Sequence, residues 1–226
     1  MGICNSITNT YMTLGMVFEA TDRLDEAEKA YTQSHKYATL AGDDGLKSRA
    51  LSGLAGLARR RGQFSLAAEL LEEALKLARN RGMSWDIAIG TTQLGHLALQ
   101  EHKLTLAKGR YQEALTLFKN LSSPTYCAGC LAGFAATISE QGYYAKAVRL
   151  SAAATALYEQ AQIRPQGGES ERLEQLVTTA KGALGEETFM QEWKVGNILT
   201  YNEAIDAALS DEWKLGQGHM LLLSKP

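Results

Sequence analysis

The chain repeats itself every 40 residues. On that period, "TYMTLGMVFEATDRLDEAEKAYTQS" falls on "ALSGLAGLARRRGQFSLAAELLEEA", then on "GTTQLGHLALQEHKLTLAKGRYQEA", then on "CLAGFAATISEQGYYAKAVRLSAAA", without a gap. Leu14, Leu54, Leu94 and Phe134 share one position, and Gly15, Ala55, Gly95 and Ala135 share the next. Ala27, Ala67, Ala107 and Ala147 form a third series; Tyr31, Leu71, Tyr111 and Ser151 a fourth; Ser34, Ala74, Ala114 and Ala154 a fifth. A unit this short cannot bury its own apolar face, so neighbouring units must stack. Within each unit large apolar residues recur three to four apart, which is helical spacing. A break near Asp22, Gly62, His102 and Gly142 divides each unit into two antiparallel helices, whose small residues allow close approach. Gly42 and Gly82 read as left-handed stops for the second helix, and "SSP" at 122–124 takes that place in the third unit.

Composition narrows the function classes. The formal net charge of −2 gives no global field for nucleic acid or an anionic membrane. Three prolines suit long helices. No stretch approaches the ~18 to 20 apolar residues of a membrane span. The start lacks a basic region followed by an apolar run, so no secretory signal is expected. "MGICNS" fits the short M-G-x-x-x-[ST] pattern of N-myristoylation, with Cys4 beside it, and is read as a helix start. The three cysteines fit a reducing compartment, and the expected localisation is cytoplasmic.

The repeat resembles the tetratricopeptide repeat (TPR). A large residue, then L-G or L-A, then a turn glycine, then Ala-x3-aromatic-x2-Ala recurs with substitutions over roughly residues 8 to 160. The usual period is 34; this chain uses 40. The resemblance implies an all-α, right-handed α-solenoid of four antiparallel helix pairs over residues 1–160. It also implies a concave surface lined by the first helix of each pair. By that resemblance the lining includes Asn9, Met12, Met16, Glu19, Arg49, Ser52, Arg59, Arg60, Thr92, His96 and Glu140. Arg49, Ser52, Arg59, Arg60, Thr92 and His96 are the candidate binding residues.

Past Tyr158 the repeat fades. "QIRPQGGES" reads as a loop, "ERLEQLVTTAKGAL" as an amphipathic helix over about 169–184, and "GEETFMQEWKVGNIL" as a short helix. "TYNEAIDAALSDEW" reads as another, with Thr200 and Glu203 as a capping box. Residues 161–209 are the expected cap of the stack, and 210–226 a tail. The order "G-x-x-W-x-I-A", "LG-x-LA", "C-L-x-G-x-A", "LGEE-x-F", "LTYNEAI-x-x-AL" is similar to the C-terminal helical arm of bacterial signal-transducing ATPases of the LuxR and AfsR regulator type. The chain lacks the motor of that family. Its nearest match to G-x4-G-K-[ST] is "GTTQLGH" at 90–96, without the lysine and inside a helix, where bonded amides cannot hold phosphate. No DNA-binding helix-turn-helix follows residue 209.

The remaining tempting residues read as structure. "CAGC", Cys127 and Cys130, lacks two further zinc ligands and the strand-to-helix setting of a redox pair, so it reads as core thiols. His35, His96, His102 and His219 fall in no ligand or catalytic spacing. Glu72-Glu73 and Glu186-Glu187 read as solvated surface or helix starts. Tyr31, Tyr111, Trp85, Phe189 and Trp193 stand where packing wants bulk. "RRR" at 59–61 ends a first helix, where basic residues suit the dipole. Residues 48–82 carry seven basic and three acidic residues (7 − 3 = +4), and residues 1–47 four basic and seven acidic (4 − 7 = −3). That polarity also admits an acidic partner segment at Arg59 and Arg60. Ser52 and Thr92 do not supply the Lys and Asn of a chaperone-type carboxylate clamp. The reading is a non-enzymatic interaction or sensor arm of a bacterial regulator, without cofactor or metal, binding a protein or peptide segment and not nucleic acid or membrane. The alternative is a receptor enclosing a small-molecule or peptide effector within the superhelix.

Overall fold

The computed structural model describes residues 2–165 and 168–210, so the first residue of "MGICNS" and the tail with His219 lie outside it. Among the described residues there are eleven helices and no strand. The first eight are α1 (Gly2–Ala20), α2 (Leu24–Ala41), α3 (Asp44–Arg60), α4 (Phe64–Asn80), α5 (Ser84–Gln100), α6 (Leu104–Leu121), α7 (Pro124–Glu140) and α8 (Tyr144–Ala161). They are followed by α9 (Glu169–Leu184), α10 (Glu186–Asn197) and α11 (Tyr201–Leu209). No described helix is long and apolar enough to cross a membrane.

The helix ends explain the period. Asp22, Gly42, Gly62, Gly82, His102, Ser122, Gly142 and Gln162 all take φ between 50° and 86°, one every 20 residues. After each, the next amide reaches back five residues: Arg23 to the Phe18 carbonyl at 2.8 Å, Gln63 to Ala58 at 2.9 Å, Tyr143 to Ile138 at 2.9 Å. This left-handed close satisfies carbonyls that a helix end leaves open. Each 40-residue unit is therefore two helices of matched length, each closed in the same way. Half of these positions are glycine; the other half hold side chains where glycine is the easier residue.

The described residues fall into two compact units that part between Leu117 and Phe118. In the first, α1 packs on α2, α3 on α4, α2 on α3, and α4 on α5. The Ala27, Ala67, Ala107 and Ala147 series is fully buried, as are the positions of Tyr31 and Ser34 in all four copies. Tyr31 lies between two glycines. A Cβ on Gly15 would fall 2.5 Å from its ring, and one on Gly53 2.8 Å. Polar groups tie the two helices of a repeat together in each of the first two copies. Ser34 Oγ of α2 donates to the Thr8 carbonyl of α1 at 3.1 Å, and Ser48 Oγ of α3 donates to the Ala74 carbonyl of α4 at 2.8 Å.

In the second unit α7 pairs with α8, α9 lies against both, α10 runs along α8, and α11 rests on α7 and α8. The three short helices follow the expected spans. Thr200 caps α11 in a reciprocal capping box with Glu203. Gly196 of α10 sits on the backbone of Arg149, where a Cβ would collide with the Arg149 carbonyl. Arg149 pairs with Glu192, Lys119 with Asp206, and the Tyr201 hydroxyl donates to the Phe118 carbonyl. Burial pushes the Tyr201 phenol up to about 12, so it stays a donor. Phe189 is buried and stacks on Trp193 at 5.7 Å.

Candidate interaction surface

The first helices of the first unit touch one another, α1 against α3 and α3 against α5. Their shared side is where the candidate residues were expected. Arg49 is exposed, and its guanidinium takes Asp86 of α5 through Nε at 2.7 Å and Nη2 at 3.4 Å. Asp86 is only 9% exposed, so this cation is its counter-charge, and the bond raises the Arg49 pKa. Ser52, one turn on, is half-buried. Arg59 is half-buried and donates to Gln100 Oε1 at 3.1 Å. On α1, Asn9 is exposed and Met16 is 56% exposed. Glu19 accepts the Tyr31 hydroxyl at 2.8 Å, and burial, with the Glu19 charge adding to it, raises the phenol pKa.

Two of the expected lining residues need correction. Thr92 is buried and donates to the Ala88 carbonyl of its own helix at 2.9 Å. His96 is 7% exposed, lies edge-on to Tyr111, and meets the Tyr111 hydroxyl with Nδ1 at 2.8 Å. A buried phenol needs a partner, and His96 supplies it here as Glu19 does for Tyr31. No residue of α5 between Trp85 and Gln100 is exposed, so the accessible strip is carried by α1 and α3.

The arginine triplet has an intramolecular answer. Arg60 donates to the Glu19 carbonyl at 3.2 Å and to Asp22 Oδ1 at 2.5 Å. Arg61 meets Asp25 and Glu28, each at 2.6 Å. The basic surplus of the second repeat thus faces the acidic surplus of the first. Exposed pairs of this kind are each worth ~0 to 1 kcal/mol, so they fix register more than stability. The pairing lay outside the sequence reading; its only signal was the opposite charge of consecutive repeats.

Other candidates resolve as packing. Cys127 and Cys130 are fully buried in α7, and burial raises the Cys127 thiol pKa, keeping it protonated. Among the described residues no three of His, Cys, Asp and Glu gather where a metal could sit. A groove of about 350 Å³ lies among Glu72, Leu75, Lys76, Arg79 and Asn80 of α4, Leu94 of α5 and Arg110 of α6, and none of the candidate residues lines it.

A family model described as tetratricopeptide repeat matches residues 6–80, which span nearly all of α1 through α4. No curated protein matches the chain. The helices that carry the accessible strip are thus those similar to tetratricopeptide repeats, a repeat type that generally mediates protein–protein interaction and is typically a non-catalytic scaffold.

Proposed function

We propose that the chain is a non-enzymatic arm of a cytoplasmic bacterial signalling regulator, and that it binds an extended protein segment along α1 and α3. The observation that carries this reading is the accessible strip itself. Met16, a large apolar side chain, stands 56% exposed on α1. The same side of the first helices presents the polar groups of Asn9, Arg49 and Ser52. An exposed apolar side chain with hydrogen-bonding groups along the same side of the helices suits a protein contact surface. The segment that fits places an apolar residue on Met16 and an acidic residue near the exposed guanidinium of Arg49. Arg60 and Arg61 are already paired with the chain's own acids, and the proposed contact does not call on them.

Peptides selected from a displayed random library on the full chain test this reading. Met16→Asp is expected to weaken the selected peptides at least tenfold. Arg49→Ala made together with Asp86→Ala, which leaves no orphaned acid, should weaken the acidic ones. Arg61→Ala should leave binding unchanged. Peptides that ignore Met16→Asp, or ATP binding with micromolar affinity by calorimetry, would contradict the reading.

A further inference from the structure

We propose that the outer face of α1 docks one further helix of the kind represented by α2 and α4, presented by a helix hairpin of this same repeat. The argument rests on register and is independent of the strip on α1 and α3. Thr10, Leu14 and Val17 occupy the positions of Ala50, Leu54 and Leu57 in α3 and of Gly90, Leu94 and Leu97 in α5. In α3 those positions are covered by α2: Leu57 is buried in a cluster with Ala27 and Tyr31, and Leu54 packs against it. In α5 they are covered by α4: Leu75 lies against Gly90, and Leu97 is buried with Ala67. On α1 the same stripe is open, with Leu14 39% and Val17 52% exposed.

The threonines extend this stripe. Thr10 and Thr13 donate their hydroxyls to the carbonyls of Ser6 and Asn9 in their own helix, at 2.9 and 3.0 Å. Their polar atoms are thus occupied, and their methyl groups widen the apolar face. Position 13 also sets a size rule. Its equivalent in α3 is Gly53, and a Cβ there would fall 2.8 Å from the Tyr31 ring. A tyrosine at that register of the incoming helix therefore cannot lie against Thr13, whereas a leucine such as Leu71 of α4 is small enough. The occupant is an amphipathic helix with small residues at the Ala27 and Ser34 registers and a leucine-sized residue at the Tyr31 register.

The chain's own second repeat is the probe. A copy of residues 43–82 fused directly ahead of Ile3 keeps the 40-residue register and brings the α4 sequence onto α1. The fusion should raise the unfolding midpoint by at least about 4 °C and slow amide exchange throughout α1. Leu71→Tyr made together with Ala55→Gly in the appended copy, so that the tyrosine meets glycine within its own hairpin, should abolish both gains, and Thr13→Gly in α1 should restore them. An appended hairpin that leaves α1 exchange unchanged overturns the proposal, as does an equal gain with leucine or tyrosine. So does a parent chain that sediments as a dimer and becomes monomeric with Val17→Asp, because the face would then belong to a second copy.

Discussion

Tyr31 fits because Gly15 and Gly53 leave it room. Across the four copies the facing pair reads Gly15 with Tyr31, Ala55 with Leu71, Gly95 with Tyr111, and Ala135 with Ser151. The largest side chain thus always meets glycine. Gly15→Ala should destabilise by about 1 to 2 kcal/mol in denaturant titration, because overpacking outweighs the better helix propensity of alanine. Gly109→Ala, where an added Cβ meets nothing within 4 Å, should stabilise by about 0.5 to 1 kcal/mol. His35 offers a second test. It stands where the next two copies have Leu75 and Leu115, and its buried Nε2 has no hydrogen-bond partner. Burial, with Lys47 adding to it, lowers its pKa below the ordinary ~6.5. Its neutral form therefore supports the fold fully above about pH 6.5, and that support is lost as pH falls toward the lowered value. His35→Leu should raise the unfolding midpoint at pH 5 more than at pH 8. At this scale the sequence was readable where a position recurs, as in the Ala27 and Tyr31 series. It was misleading at His96. That residue follows the small-residue position Gly95 and was assigned to an open surface, but both sides of α5 are covered. The apolar run of Leu94, Leu97, Ala98 and Leu99 was the available sign of this.

At the scale of the element, the left-handed closes set where every hairpin turns. Ser122 holds φ 50° at one of them, where an L side chain costs ~1 kcal/mol. Ser122→Gly should recover about 0.5 to 1 kcal/mol, read as a rise of roughly 2 °C in midpoint. Gly196→Ala should do the reverse and cost about 3 kcal/mol, since α10 must move off the α8 backbone. The boundaries of α9, α10 and α11 were legible from amphipathic spacing and from the Thr200 capping box. The Gly196 contact was not, because close approach of two helices distant in sequence leaves no periodic trace. Arg60 and Arg61 escaped for the same reason. Their acids lie 33 to 38 residues away, and only the stacking of repeats brings them together.

At the scale of the molecule, charge is distributed so that the second repeat attracts the first. Arg60→Ala with Arg61→Ala should lower the midpoint modestly, by an amount that disappears near 1 M salt, where the Debye length is ~3 Å. With those cations engaged, Met16, Asn9, Arg49 and Ser52 remain as the features on which the proposed strip of α1 and α3 relies. The central claim is that a partner segment lies along α1 and α3. The most direct measurement is amide chemical-shift mapping of the full chain titrated with a library-selected peptide. The account predicts shifts concentrated at Asn9, Met16, Arg49 and Ser52, lost with Met16→Asp. Shifts confined to the second helices α2 and α4, and insensitive to Met16→Asp, would contradict it.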